Sequence, residues 1–383
     1  MKFGLIFISL LSVVASAQES WSDHTIEANR LRSAAHYSEA EGLYKAALGQ
    51  AEAFPGDVRR AESLNNLAAL YYATGRYAAA EPLYREAIAA VPSGQRQVAL
   101  FSSNLAALYK ALGRYREAEP LYETALGILA RTDGAASLEY AVSLDNQAEL
   151  FRTEGRFNDA EKTARRACAL LEKSAGSNSA HYANGLNLLA LTDRALGRDD
   201  EAEPLLRKAL AIREETLGPE HPDVGISMNN LAEFLTVRQR YVEAERLARH
   251  SVAILEKSLG PEHPSVAVSL NGLAQALRLE SPDIEVEPLY DRALAIWRKN
   301  PGPEHPDYAR GLGNLADYYR TRGRVKEAVS LYRESIAILT KGLGPEHADT
   351  ARRQAMLAEL LDLRRRYEQA GGGTLSHEAH SAQ

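Results

Sequence analysis

Four histidines at a regular spacing are the residues most suited to chemistry in this sequence. They fall 42 residues apart, each in a Glu-His phrase that precedes proline or alanine: His221, His263, His305 and His347. Imidazole is a common metal ligand, but a shared ion needs its ligands close together. Because equivalent positions of stacked repeats lie about one repeat apart, we predict no metal site. We expect these histidines to serve as caps in the loops that lead into the following helices.

No other set of side chains has the arrangement of a catalytic centre. The single cysteine, Cys168, excludes an intramolecular disulfide, and its helical surroundings favour a small buried side chain over a reactive thiol. The sequence lacks a glycine-rich phosphate loop, an HExxH pair and a nucleophile elbow. We therefore predict a protein that is not an enzyme and needs no cofactor. With 51 acidic against 45 basic residues, no nucleic-acid partner is expected.

A repeated phrase indicates the fold. It reads NLAALYYATGRYAAAEPLY at 66–84 and NLAALYKALGRYREAEPLY at 104–122, and later copies follow at steps of 42 residues. Each copy contains two stretches with apolar residues at helical 3-4 spacing, separated by a glycine that ends the first helix. Self-similarity at this period is typical of solenoids. The sequence therefore predicts an all-α solenoid of antiparallel helix pairs.

Small residues recur where the helices must approach each other. One alanine column lies in the first helices, at Ala28, Ala68, Ala106, Ala148, Ala190, Ala232, Ala274, Ala316 and Ala358. A second column lies in the second helices, at Ala40, Ala80, Ala118, Ala160, Ala202, Ala244 and Ala328, with Val286 as the exception. A methyl side chain permits close helix packing. We count eight pairs between His24 and Lys341, followed by a capping helix over Asp349–Tyr367.

These features resemble the tetratricopeptide repeat. The 42-residue period, the Asn65–Ala68 phrase and the LGPEHP linker at Leu217–Pro222 resemble the kinesin light chain subtype, over roughly residues 24–367. The resemblance implies a right-handed superhelix with a concave groove that binds protein segments. The heptad segment through which true light chains bind the heavy chain is absent from the sequence, so motor transport is not implied.

The N-terminus has the pattern of a secretory signal peptide. Lys2 precedes an apolar run from Phe3 to Val14 and then a small-residue site, which predicts cleavage between Ala17 and Gln18. The run is too short to span a bilayer comfortably, so we expect no membrane insertion after cleavage. The predicted domains are a signal peptide at 1–17, a solenoid at 18–367 and a disordered tail at 368–383. The expected location is periplasmic or extracellular.

Two sets of residues are predicted to face the groove. The first is an asparagine two positions before the repeated leucine, at Asn65, Asn187, Asn229 and Asn271. A carboxamide both donates and accepts hydrogen bonds, so it can hold the backbone of an extended peptide. Groove asparagines of this phrase have that role in the family it resembles. Alternatively, these asparagines bond neighbouring helices and stabilise stacking; the sequence leaves both interpretations open.

The second set is an arginine five positions after the same leucine, at Arg152, Arg194, Arg278 and Arg320. Guanidinium groups bind carboxylates in a bidentate manner, so this set favours an acidic peptide. Glu149 and Asp317 lie three positions before Arg152 and Arg320, where they can neutralise them. The function predicted is an adaptor outside the cytoplasm that binds an extended, possibly acidic, segment. The alternatives are a scaffold assembled through convex faces and helix ends, and an enzyme or sugar-binding protein with a closed pocket.

Overall fold

The structure is a computed structural model that describes residues 20–33, 36–54, 56–281 and 283–369. The predicted signal peptide at 1–17, the cleavage site at Ala17 and Gln18, and residues 370–383 of the predicted tail lie outside the described residues. The last described helix ends at Gln369, two residues beyond the predicted end of the solenoid.

All regular structure in the described residues is α-helical, and it forms seventeen helices. Helix α1 occupies 20–33. The others are α2 (Tyr37–Ala51), α3 (Val58–Ala73), α4 (Tyr77–Ala89), α5 (Arg96–Ala111), α6 (Tyr115–Thr132), α7 (Leu138–Thr153), α8 (Phe157–Ala175), α9 (Ala180–Ala195), α10 (Asp199–Leu217), α11 (Pro222–Val237), α12 (Tyr241–Leu259), α13 (Pro264–Glu280), α14 (Glu287–Lys299), α15 (Pro306–Thr321), α16 (Val325–Leu343) and α17 (Ala348–Gln369).

The helices confirm the predicted solenoid of pairs. The odd-numbered helices up to α15 are the first members of eight pairs, and the even-numbered helices are the second members. Helix α17 is a ninth first helix, has no paired second helix within the described part of the chain, and packs on α16. None of the described helices combines the length and apolar character that a bilayer-spanning segment requires.

Packing divides the chain into two compact units. Unit 1 runs up to Arg152 and continues over Phe157–Val224, so it contains α1–α10 and the start of α11. Unit 2 contains the rest of the chain from Gly225, and the Thr153–Arg156 turn is grouped with it.

Both alanine columns are buried where helices cross. In the first column the members from Ala28 to Ala316 have at most 1% of their surface exposed, and in the second column every alanine and Val286 are at 0%. Ala358 is the exception: it lies on α17, the last helix of the described residues, and it is exposed. A larger side chain at any buried member would force helices apart, which typically costs about 1–3 kcal/mol.

A left-handed residue ends the first helix in most pairs. Gly75, Gly113, Gly155, Gly197 and Gly323 have φ between 72° and 77°. In the α11–α12 turn the same position is Gln239, which has φ 59° and is the one described residue other than glycine with positive φ. Such a conformation brings the Cβ of an L-residue against the backbone, so this turn is less favourable than its counterparts.

In four repeats, the arginine just before the second helix forms an ion pair with the preceding repeat. Its guanidinium pairs with a glutamate on the second helix of the preceding pair, in Arg76–Glu41 (2.7 Å), Arg114–Glu81 (2.8 Å), Arg198–Glu161 (2.8 Å) and Arg324–Glu287 (2.7 Å). Three of these guanidinium groups also lie over tyrosine rings, at 4.1 Å from Tyr71, 4.0 Å from Tyr109 and 3.7 Å from Tyr319. The hydrogen bond from Arg76 lowers the pKa of Glu41 to about 2. We call this series the arginine–glutamate ladder.

The four linker histidines cap the helices that follow them. The Nδ1 atom of each accepts the backbone N–H two residues later, from Asp223 (3.2 Å), Ser265 (3.1 Å), Asp307 (3.1 Å) and Asp349 (3.2 Å). These bonds satisfy a donor at the helix start that has no partner within the helix. The predicted capping role is confirmed. Among the described residues, no three His, Cys, Asp or Glu side chains lie close enough together to hold a metal ion.

Candidate peptide-binding groove

The first helices of unit 1 line a cavity of about 570 Å³. Helices α1, α3, α5, α7 and α9 contribute to it because residues spaced by three and four share one helix face. Most lining side chains are amides or hydroxyls: Thr25, Asn29, Asn65, Asn66, Gln97, Ser103, Asn104, Ser143 and Asn146. Leu100, Phe101, Leu138 and Val142 provide the apolar part of the lining, and Glu62, Arg96, Glu139 and His181 the titratable part.

Two hydrogen bonds between neighbouring repeats hold the floor of the cavity. Asn104 Nδ2 donates to Asn65 Oδ1 at 2.9 Å, and the hydroxyl oxygens of Ser103 and Ser143 lie 2.8 Å apart. Both pairs connect consecutive first helices, so they position the lining as well as stabilise stacking. The bond of Asn65 is of the kind given as the alternative in the sequence analysis, in which these asparagines bond neighbouring helices and stabilise stacking.

The charged groups at the cavity are largely balanced. Arg96 pairs with Asp133 at 2.5 Å and also with Glu139. Burial, together with the nearby Asp57 carboxylate, raises the pKa of Glu62. The cavity therefore offers many neutral donors and acceptors and has no surplus of positive charge.

A cluster of charged residues lies farther along α5 and α7 in the same unit. Glu149 accepts hydrogen bonds from Arg152 at 2.7 and 2.9 Å, and Lys110 Nζ lies 4.0 Å from it. Burial lowers the pKa of Lys110. Asp145 occupies the groove asparagine position of α7, and its Oδ1 is buried with no hydrogen-bond partner among the residues that the structure describes. Burial and the Glu149 carboxylate raise the pKa of Asp145 to about 7.

The four predicted groove asparagines have different environments. Asn65 lines the cavity, whereas Asn187 is half-buried on α9. In unit 2, Asn229 Nδ2 donates to Glu233 at 3.1 Å within α11, and Asn271 Oδ1 accepts from Asn314 at 3.1 Å across two repeats. Asn65 and Asn271 thus make the same kind of bond between repeats.

Two of the four predicted arginines lie in unit 1 and two in unit 2. In unit 1, Arg152 pairs with Glu149 as the sequence suggested, and Arg194 is half-buried in the last turn of α9. In unit 2, Arg320 is exposed, and the Nε of Arg278 is buried with no hydrogen-bond partner among the described residues. Asp317, the other neutralising residue suggested by the sequence, bonds to Arg353 and Tyr332.

A second asparagine position, next to the predicted one, also lines the cavity and was not predicted. The residue directly before the repeated leucine is asparagine at Asn66, Asn104 and Asn146, and all three line the cavity. The signal was present in the repeated phrase, which begins with this asparagine. Because consecutive residues of a helix point about 100° apart, both positions contribute only where the groove is wide.

On α15 of unit 2, side chains of the protein itself fill the space beside the groove asparagine position. Arg353 on α17 donates to Asp317 Oδ2 at 2.8 Å and to Asn314 Oδ1 at 2.6 Å, and the Tyr332 hydroxyl donates to Asp317. Gly313, which replaces the groove asparagine of α15, makes room: a Cβ there would lie 2.3 Å from Arg353 Nε. Arg353, Asp317 and Asn314 are at most 9% exposed. We call the side chains of Arg353, Asp317, Asn314 and Tyr332 the end network.

Comparison with family models confirms the class of fold. Models of the tetratricopeptide repeat match residues 31–93, 97–173, 225–282 and 285–341, and a related model of the same repeat matches 183–223. These segments cover more than half of the chain, so the chain belongs to the tetratricopeptide-repeat family. Families of this kind are typically non-catalytic scaffolds for protein interaction.

Solved structures show which repeats are similar. A candidate kinesin light chain of Podosopora anserina with nearly identical TPR-like repeats is 30% identical; the match covers 52% of this chain and 94% of that one, with a TM-score of 0.41. BtubC (BKLC) of P. vanneervenii is 26% identical over 64% of this chain and 91% of that one, with a TM-score of 0.43.

A Rap protein matches over a longer span. The structure of a Rap protein in complex with Competence and Sporulation Factor is 13% identical, covers 91% of this chain and 98% of that one, and has a TM-score of 0.58. At this identity the similarity concerns the fold alone. Among curated proteins, none matches the chain.

Proposed function

We propose that this chain is a non-catalytic binding module that holds an extended segment of a partner protein in the groove of unit 1, outside the cytoplasm. The row of amides and hydroxyls along the first helices is the observation that carries the proposal. An extended polypeptide exposes one backbone donor and one acceptor per residue, and carboxamides can satisfy both. The location rests on the signal-peptide pattern of residues 1–17.

The chemistry of the cavity favours recognition of the backbone over recognition of acidic side chains. Arg96 and Arg152 each have carboxylate partners, so a bound acidic residue would have to compete with Glu139 or Glu149. The other predicted arginine of unit 1 is Arg194, which is half-buried on α9, so the predicted acidic preference can be tested there. The apolar part of the lining, such as Leu100 and Val142, would contact aliphatic side chains of the segment.

Site-specific photo-cross-linking in intact cells tests this proposal. A photoreactive residue replaces Asn146 inside the cavity, and a matched control carries it at the exposed Lys162 on α8. We expect a partner segment to be cross-linked from position 146 and not from 162, and the product to disappear when Asn66→Arg fills the cavity. Equal products from both positions, or products from the control alone, would instead favour a scaffold that uses its outer surfaces.

A charge reversal within unit 1 separates backbone recognition from acidic recognition. In the Arg194→Glu variant, an acidic segment would be lost from the position-146 cross-link, whereas a segment held by its backbone would remain. Circular dichroism checks that the helical content is unchanged in each variant.

A further inference from the structure

One hydrogen bond of unit 1 joins residues that are far apart in the sequence. The Nε2 atom of His221, in the linker before α11, lies 3.0 Å from the backbone carbonyl oxygen of Ser33, at the end of α1. The two residues are 188 positions apart, so the bond joins the first helix pair to the linker that follows the fifth. The His221 side chain is 12% exposed, so it is largely enclosed by its neighbours. We call this bond the His221 contact.

The imidazole of His221 bonds to the ends of two helices. Its Nδ1 accepts the backbone N–H of Asp223 at 3.2 Å, at the start of α11, which belongs to unit 1. Because Nδ1 is an acceptor, the ring proton is on Nε2, which donates to the Ser33 carbonyl. Carbonyl groups at the end of a helix and N–H groups at its start lack partners within the helix. His221 therefore satisfies one group of each kind.

The His221 contact joins the two ends of the cavity wall. Thr25 and Asn29 of α1 line the cavity at one end of the row of first helices, and His181 of α9 lines it at the other. The contact connects α1 to the linker after α10, which is the helix paired with α9. It therefore fixes the first wall of the cavity relative to the last.

Helix α1 is bonded to the helices that follow it. The Trp21 Nε1 donates to the hydroxyl of Ser63 on α3 at 2.9 Å, and the Tyr44 hydroxyl of α2 donates to Asn29 Oδ1 at 2.6 Å. Loss of the His221 contact would leave these bonds in place. The first helix pair would then move away from the α10–α11 linker without separating from α3.

Charged and titratable groups of the neighbouring elements surround His221. The Asp223 carboxylate lies 3.8 Å from Nδ1, and Arg213 of α10 donates to the Asp223 carbonyl at 3.4 Å. Across the contact, Arg32 lies on α1 and Tyr37 on α2. Burial and the negative charge of Asp223 raise the pKa of Tyr37 to about 12, whereas the positive charge of Arg32 lowers it. Among these four groups, the Asp223 carboxylate is the anion that can pair with a protonated imidazole.

We propose that His221 makes the contact between the first helix pair and the α10–α11 linker sensitive to acid, so that protonation opens the cavity of unit 1. A protonated imidazole has no lone pair to accept the Asp223 N–H, and its Nδ1–H turns towards the Asp223 carboxylate. This rotation takes Nε2 away from the Ser33 carbonyl. Histidine ordinarily changes its charge between pH 5 and pH 8, so the cavity is closed in neutral and open in mildly acidic surroundings. Faster exchange of a bound segment in acid follows if the function proposed above holds.

The accessibility of the cavity tests the proposal without a partner. In a Cys168→Ala background, Asn146→Cys places a thiol in the cavity, and Lys162→Cys places a reference thiol at an exposed position on α8. The measured quantity is the rate of labelling by a methanethiosulfonate reagent at position 146 divided by the rate at position 162. The division removes the pH dependence of thiol reactivity. We expect this ratio to rise several-fold from pH 8 to pH 5.

The variant His221→Asn separates protonation of His221 from other effects of pH. An asparagine side chain bonds the backbone N–H two residues later, so it keeps the cap on α11, but it does not titrate and is too short to reach Ser33. The labelling ratio should be high at both pH values in this variant. Asp145 also titrates in this range and is the same in both chains. His250→Asn, at an exposed position on α12, is the control and should behave as the parent chain does.

A distance measurement tests whether the opening occurs at the His221 contact. Spin labels at Ser38→Cys on α2 and Glu215→Cys on α10, both exposed positions, should lie farther apart at pH 5 than at pH 8 in the parent chain. They should be far apart at both pH values in His221→Asn. An unchanged distance would overturn the proposal. So would a labelling ratio that does not change with pH in the parent chain, or that changes equally in His221→Asn.

Two checks keep the outcomes separate. Circular dichroism should show the same helical content at both pH values, and a loss of helix in acid would mean that the chain unfolds rather than opens, which would also contradict the proposal. The labelling and distance measurements use no partner. The absence of a cross-link from position 146 would therefore contradict only the function proposed above.

Discussion

Units 1 and 2 are built from the same helix pair and differ in what occupies the inner face. In unit 1, Asn65 and Asn104 bond to each other and leave a cavity of about 570 Å³ in front of them. In unit 2, Asn314 accepts a hydrogen bond from Arg353, whose side chain lies where Gly313 leaves room. The backbone of the repeat creates the same inner surface in both, and individual side chains decide whether it is open or filled.

The terminal helix is the source of this difference. The position of Arg353, four residues before the repeated leucine, is Ser63, Ser143, Gly185, Ser227, Ser269 or Gly311 in other first helices, and Phe101 in α5. Ser269, for example, packs against a second helix, and its hydroxyl oxygen lies 2.8 Å from that of Ser251 on α12. On α17 an arginine reaches back and pairs with Asp317. In the last repeat, side chains of the protein fill the inner face and stabilise it, whereas the inner face of unit 1 stays open.

The largest expected effect is the loss of the end network. Arg353→Ala leaves Asp317 buried without its cation, and breaking such a pair typically costs about 3–5 kcal/mol. Urea denaturation should show this loss, and hydrogen exchange should accelerate in α17. Arg352→Ala, at the exposed neighbouring position, is the control and should have little effect. Equal effects from both variants would mean that the end network does not stabilise unit 2.

A smaller, pH-dependent effect is expected at the charged cluster of unit 1. Burial raises the pKa of Asp145 from its usual 3.8 to about 7, so between these values the folded chain keeps a proton that the unfolded chain releases. The contribution of Asp145 to stability therefore falls as pH rises through this window. Asp145→Asn removes the titration and should stabilise the protein increasingly from pH 5 towards pH 7, by at most about 1.4 kcal/mol per pH unit.

Urea denaturation of both chains across this pH range measures the effect. The exposed Asp159→Asn is the matched control for loss of one negative charge. A stability difference between Asp145→Asn and the parent that stays constant with pH would show that Asp145 is not held in a protonated state.

The smallest effect is expected at the turn of unit 2 that lacks glycine. Gln239 has φ 59°, a conformation that costs an L-residue about 1–2 kcal/mol relative to glycine. Gln239→Gly should therefore raise the unfolding free energy by about 1 kcal/mol. The reciprocal change, Gly197→Gln in unit 1, should lower it by a similar amount. If both changes are neutral, the difference between these turns is not a difference in strain.

Much of the architecture could be predicted from the sequence because the same spacing of small and apolar residues recurs in every repeat. The predicted eight pairs and one further helix are confirmed in the described residues, and so is the capping by His221 and its counterparts. The burial of both alanine columns also follows the register, except at Ala358 on α17, the last of the described helices. The groove residues were harder to predict, since helical periodicity identifies a face to within one position, and Asn66, Asn104 and Asn146 lie beside the position chosen.

The sequence by itself determined the helix pair, its period and its packing surface, because local propensity and the spacing of small and apolar residues suffice for these. Only the tertiary structure decided which polar side chains remain available. Asp317 and Arg353 are 36 residues apart and Arg76 and Glu41 are 35 apart, and such pairs form only when separate repeats stack. The physical reason is that a hydrogen bond depends on distances of about 3 Å, which sequence spacing does not define across a turn.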